Sequence, residues 1–187
     1  MKYLIVGLGN IGNEYINTRH NIGFKILDAL ANASNISFQD RRLAYRAEYK
    51  FKGRTFVLIK PTTYMNLSGK AVNYWLQKEK LSFDKLLVLV DDVALPFGSL
   101  RLRPKGADAG HNGLKDINLA LGHQNYTRLR FGIGNDYARG AQAHYVLSSW
   151  EDEEKKQLPE RIDLAIEIIK SFGTIGVSNT MNQYNNR

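Results

Sequence analysis

The apolar and polar positions of this chain alternate between two kinds of pattern. A strong strand signal opens it at Tyr3-Leu4-Ile5-Val6, and helical spacing follows at Ile22, Ile26, Leu27, Leu30 and Ala31, predicting a helix that ends near Ala33. Asn32–Gln39 reads as a loop. Tyr45–Lys52 alternates and Arg54–Lys60 is rich in Val, Ile, Leu and Phe; Gly53 between them predicts a hairpin, and Pro61 ends its second strand. A helix is expected from Gly69 to about Glu79, burying Ala71, Val72, Trp75 and Leu76. Leu86–Val90 is continuously apolar, as in a strand covered on both faces of a parallel sheet, and stops at Asp91-Asp92. Leu95–Gly98 turns the chain into Ser99–Arg103, where arginine alternates with leucine. A loop (Lys105–Gly110), a short helix (Asn112–Leu121) and a strand (Thr127–Ile133) come next. A long helix is predicted over Glu151–Phe172, with Leu158, Ile162, Ala165, Ile166 and Ile169 inward and Pro159 breaking or offsetting it early. The tail is polar and asparagine-rich, with room for one more short helix. Strands alternating with helices, without a repeat or a boundary, predict one α/β domain over residues 1–187: a twisted, mostly parallel (mixed) sheet with helices on both faces.

One stretch does not fit a plain strand-to-helix connection, which needs about two to six residues. Gly7–Asn21 holds a glycine-rich turn, Asn10, Asn13, Asn17, Asn21, Tyr15, Arg19 and His20. Gly7-Leu8-Gly9-Asn10-Ile11-Gly12 spells the G-x-G-x-x-G of dinucleotide sites. The context fails: no helical period begins until Ile22, and the nearest acid that could meet a ribose, Asp28, lies inside a helical pattern. The glycines are read as allowing a sharp turn and close approach to a ligand.

Composition narrows the field. A hydrophobic content of 43% supports a real core, and a net charge of +8 suits a polyanionic partner without choosing between RNA, DNA and anionic lipid. With no cysteine, disulfides and thiolate chemistry are excluded. The N-terminus runs straight into a strand and no apolar run reaches membrane-spanning length, so a cytoplasmic location without membrane association is expected.

Ligands of open α/β sheets bind outside the carboxyl ends of parallel strands, where Asn10, Asn66 and Asp91 would gather. His20 is the candidate general base, Asp91 the carboxylate that orients it, and Asn10, Asn66 and Asn112 the amides that meet substrate and a developing oxyanion. No serine sits in a nucleophile-elbow context, so activated water is the nucleophile expected, acting on an ester or amide. His111, in a glycine-flanked turn, is read as orienting Asn112, while His123 and His144 read as surface positions. No metal is expected, since no helix carries ligand spacing. Arg101, Arg103, Lys105, Arg128 and Arg130 are read as a basic surface for phosphates, against the plainer reading of solvated strand faces.

Four blocks in this order resemble the bacterial peptidyl-tRNA hydrolase family: Val6–Gly12 with Tyr15 and Thr18–Asn21; Pro61–Val72; Asp91–Gly98; and Gly110–Lys115 continuing to Arg128–Gly134. The resemblance covers nearly the whole chain. It implies a monomeric α/β enzyme, without metal or cofactor, that cleaves the ester between a peptide and the 3′ ribose of tRNA and so recycles tRNA from stalled ribosomes. It implies His20 as base, Asp91 as its partner, and Asn10 as the residue that tells peptidyl-tRNA from free aminoacyl-tRNA. Tyr15, Tyr64, Asn66 and Asn112 would contact substrate, and Arg101, Arg103, Lys105 and Arg128 the acceptor-arm phosphates. The chain departs from the family pattern at Ile11, Ala94, Phe97 and Asp108, the last adding an acid beside the phosphate contacts. Two other classes compete: a non-enzymatic RNA-binding relative, and a dinucleotide-dependent oxidoreductase.

Overall fold

The computed structural model describes residues 1–187. β1 (Lys2–Gly7) leads through two 3-10 turns, Asn13–Tyr15 and Arg19–Asn21, into α1 (Ile22–Ala33). Then come β2 (Gln39–Arg41), β3 (Ala44–Phe51), β4 (Arg54–Pro61), α2 (Ser68–Lys78), β5 (Leu86–Asp92) and β6 (Leu100–Arg103). α3 (Asn112–Leu121), β7 (Thr127–Gly132), α4 (Gln142–Val146) and α5 (Asp152–Tyr184) complete the chain.

All seven strands join one sheet in the order β2-β3-β4-β1-β5-β7-β6. β4, β1, β5 and β7 are parallel, and β2, β3 and β6 pair antiparallel at the two sides. Alternation along the strands divides the core. Ile5, Leu58, Leu87 and Leu89 pack with Ile26 and Leu30 of α1 and Ile166 and Ile169 of α5. Leu4, Val57, Val88 and Val90 pack on the other face with Val72 and Trp75 of α2 and Leu114 and Ile117 of α3. The uninterrupted apolar run of β5 thus reflects cover from both sides. At the β3–β4 hairpin, Lys52 and Gly53 both take positive φ, 48° and 77°, the backbone of a tight turn whose twist matches the strands.

Three features differ from the pattern-based expectation. β2 is a short exposed edge strand inside a segment read partly as loop. α4 lies where the apolar pattern predicts no element. Pro159 does not break α5: it lies on the exposed side, as does Lys155, whose carbonyl loses its usual donor there. The helix changes direction at Gly176 (φ 86°, ψ 169°), where the Ser171 and Thr180 hydroxyls meet at 2.7 Å.

Candidate active site

The close contact of β1 with α1 depends on two glycines: a Cβ on Gly7 would lie 2.4 Å from the Gly23 carbonyl oxygen, and one on Gly23 2.5 Å from the Leu8 nitrogen. After β1 the chain makes only a three-residue 3-10 turn past Gly12, and the first α-helix starts at Ile22, so the α-helix N-terminus that would face a pyrophosphate is missing. The turn is instead tied down by one side chain. The Asn21 carboxamide accepts from the Asn10 N–H and donates to the Asn10 carbonyl, both at 2.8 Å.

Asn10 is locked in turn. Its Oδ1 accepts from the Met65 N–H at 2.7 Å, which leaves the Nδ2 protons as its free face. The segment it holds follows β4 and is strained: Tyr64 has φ 63° and ψ 160°, a region that side chains rarely adopt. This positive φ lies two residues before Asn66.

Asp91, buried at the end of β5, lies between two imidazoles. His20 Nδ1 meets Oδ2 and His111 Nε2 meets Oδ1, each at 2.8 Å. His111 caps α3: its Nδ1 accepts from the Gly113 and Leu114 N–H groups at 3.1 and 3.3 Å. An imidazole that accepts at Nδ1 carries its proton on Nε2, so His111 donates to Asp91. His20 donates through Nδ1 and keeps the Nε2 lone pair for chemistry. Burial works against charge on His20, but the carboxylate outweighs it by attraction and hydrogen bonding, raising its pKa above the ordinary 6.5. Burial would raise the pKa of Asp91; the two histidines more than reverse this and hold it ionised, well below the usual carboxylate range. The ligand-type atoms of His20, Asp91 and His111 lie within 4.8 Å of one another. A metal ion there would have to displace the His111 proton and both hydrogen bonds to Asp91, so the arrangement suits proton handling better.

These groups face a cavity of 480 Å³ lined by Asn10, His20, Asn66, Asp91, His111 and Asn112. Met65, Val93, Leu114, Val146 and Leu147 give it apolar walls, and Arg130 stands at one side. The wall supplied by α4 is fastened to the base-bearing turn by Arg19, which is 3% exposed. Its guanidinium donates to the Ser148 hydroxyl, the Ser149 carbonyl and Glu154 (2.8 Å) and stacks 4.3 Å over the Tyr145 ring.

The parallel strands therefore bring together Asn10, His20, Asn66, Asp91 and Asn112. Tyr15 and the exposed Tyr64 lie outside the cavity wall, as do Arg101, Arg103 and Lys105, of which Arg101 and Lys105 are exposed and Arg103 half-buried. Arg128 is a correction. It is 0% exposed, its guanidinium 4.2 Å over the Tyr126 ring and bonded to the Gln124 and Tyr126 carbonyls, so it is not part of a basic surface. Alternation put Arg128 and Arg130 on one face, as the register opposite Arg103 and Arg101 bears out, but it says nothing of what covers each. Arg130 is the one in the cleft, held by Asp92 at 3.3 Å. His111 is the second correction: it contacts Asp91 directly. A buried carboxylate has two oxygens, and one histidine satisfies only one of them, which is the signal that could have found it. Asp108 closes its own loop, accepting from the Gly110 N–H at 2.8 Å.

Residues 4–187 match the peptidyl-tRNA hydrolase family model. A peptidyl-tRNA hydrolase of Phocaeicola vulgatus is 60% identical over 187 residues, and one of Bacteroides fragilis 59%, each covering 100% of both chains. The crystal structure of peptidyl-tRNA hydrolase from Acinetobacter baumannii superimposes with a TM-score of 0.92 at 33% identity, covering 98% of this chain and 94% of that one. With a match that spans both the His20–Asp91 pair and the asparagines around it, the chain belongs to the peptidyl-tRNA hydrolase family.

Proposed function

We propose that this chain hydrolyses the ester joining a peptide, or an N-blocked aminoacyl group, to the 3′ ribose of tRNA, with His20 as general base. The observation that carries the reading is the 2.8 Å contact of His20 Nδ1 with buried Asp91 at the open end of the parallel strands, beside three asparagine amides. His20 Nε2 takes a proton from water as the oxygen attacks the ester carbonyl. The Asn66 and Asn112 amides supply donors for the oxyanion. As the tetrahedral intermediate collapses, the imidazolium returns the proton to the departing ribose oxygen, leaving a free acid and tRNA.

The orientation of Asn10 supports selectivity. With Oδ1 engaged by the Met65 N–H, the Nδ2 protons are the part of the amide left without a partner. A peptide or acyl carbonyl accepts them; the free α-ammonium of an aminoacyl-tRNA brings donors to donors and leaves both unpaired. Arg103, Lys105 and Arg101 on the β6 side, with Arg130 of β7, offer charge for acceptor-arm phosphates and suit a single chain acting on one tRNA.

The test is release of an N-acetylaminoacyl group from tRNA by wild type and His20→Ala, with unblocked aminoacyl-tRNA as control. Rapid release by wild type, its loss in the variant and a spared control are expected. Tight tRNA binding without release by wild type would sink the reading in favour of RNA binding alone.

A further inference from the structure

The two amides assigned to the oxyanion come from different elements. Asn66 lies in the 3-10 turn Met65–Leu67 that runs straight into α2, and Asn112 is the first residue of α3. Both residues are exposed to the cleft, so the backbones that carry them set the distance between their amides. A donor helps only within about 2.7–3.1 Å of the developing charge, so that distance bears on the chemical step.

A residue outside the cavity wall joins the two backbones. α2 has no side-chain cap from its own N-cap residue, Leu67. Its start is capped from α3 instead: Asp116 Oδ2 accepts from the Gly69 N–H at 2.8 Å. A carboxylate suits this place, because the first N–H groups of a helix lack partners inside it and the helix start is positive. Gly69 follows Asn66 by three residues and Asp116 follows Asn112 by four, so the bond lies about one helical turn beyond each amide. The helices meet closely there, since a Cβ on Gly69 would lie 2.3 Å from the Asp116 carbonyl oxygen. Nearer the cleft, Gly113 packs against Met65, where a Cβ would lie 2.7 Å from the Met65 Sδ. The Ser68 hydroxyl donates to the Met65 carbonyl at 2.7 Å and fastens the turn bearing Asn66 to the start of α2.

We propose that Asp116 is a positioning residue for the oxyanion site: by tying α3 to the start of α2 it sets the separation of the Asn66 and Asn112 amides, an inference that rests on the hydrolase reading above. Asp116 and Gly69 do not line the cavity, so the effect passes through the two asparagines. It falls on kcat rather than KM, because the amides gain strength as charge develops in the transition state.

The test measures kcat and KM for release of an N-acetylaminoacyl group from tRNA, at a temperature where thermal unfolding shows every variant folded. Asp116→Ala removes the acceptor, and kcat is expected to fall about tenfold at unchanged KM, less than the roughly 10²–10³-fold that loss of an oxyanion donor itself costs. Asp116→Asn keeps an acceptor oxygen in the same place and should hold kcat within about twofold of wild type. Beside Asn66→Ala, Asp116→Ala should cost at most about twofold more, since one of the two amides it spaces is gone. Asp116→Glu keeps the carboxylate but sets it one methylene farther, and it carries the same cycle in place of an alanine variant that does not fold. A tenfold loss that persists beside Asn66→Ala would overturn the proposal and leave Asp116 as a helix cap alone, as would an unchanged kcat or a loss carried by KM. Absence of release by wild type is a separate result, which would remove the hydrolase reading itself and the role of Asp116 with it.

Discussion

The Nε2–H of His111 points at Oδ1 of Asp91 from 2.8 Å, so the carboxylate beside His20 is shared between two imidazoles. Removing one donor leaves more of the carboxylate's charge for the other. His111→Ala should therefore raise the pKa of His20 further, which an NMR titration of the imidazole would read directly. It also uncaps α3 and orphans a buried carboxylate oxygen, so a stability loss of about 1–3 kcal/mol is expected in urea unfolding. An unmoved His20 titration would show that the two histidines do not communicate through Asp91.

A base works in its neutral form, so kcat/KM should fall as pH drops through the pKa of His20. That pKa is raised above 6.5, which places the acid limb on the alkaline side of an ordinary histidine. Asp91→Asn removes the attraction and leaves the burial, so the limb should move to lower pH. The rate at its plateau should drop by roughly 10²–10⁴-fold, because an amide can present its protons to Nδ1 and select the wrong tautomer. A pH–rate profile of each protein checks both the direction and the size.

Arg128 and Arg130 should separate cleanly on substitution. Arg130→Ala removes a cation from the cleft, and KM for substrate should rise with a shallower dependence on salt. Arg128 is buried, and its Nε and Nη1 have no partner. Arg128→Met keeps most of the packing without burying a charge, so its stability should stay within about 1.5 kcal/mol of wild type and its salt dependence should match. Kinetics at two ionic strengths and denaturant unfolding measure the contrast.

Arg19 and Glu154 pair at 2.8 Å with side chains 3% and 15% exposed, and the pair holds α5 against the turn bearing His20. Arg19→Met leaves Glu154 partly buried without its partner and should cost about 3–5 kcal/mol. Lysine keeps the charge but cannot serve two serines, a glutamate and an aromatic face from one plane, so Arg19→Lys should recover only part of the loss. Urea midpoints of the two variants give the comparison.

Repetitive, locally reinforced signals were legible in the sequence. The run Leu86–Val90 announced a strand covered on both faces, and helix α3 occupies the predicted Asn112–Leu121. The edge strand Gln39–Arg41 escaped because all three residues are exposed and bury no face that would imprint a pattern. α4, with five residues, is shorter than two helical turns and shows no period. Pro159 misled because its cost depends on whether the carbonyl it deprives is buried, and that side of α5 is exposed.

The same division holds at the site. Sequence alone determined which groups were available: a histidine and several asparagines in an overlong glycine turn, an aspartate ending a buried strand, and a family likeness spanning the chain. Those are properties of residue type and local order. The tertiary structure decided partners and cover. It placed His111 on the second oxygen of Asp91, turned the Asn10 amide by engaging Oδ1 with Met65, and buried Arg128 while leaving Arg130 in the cleft. Each outcome depends on groups far apart along the chain meeting at hydrogen-bond or van der Waals distance, and no local pattern carries that information.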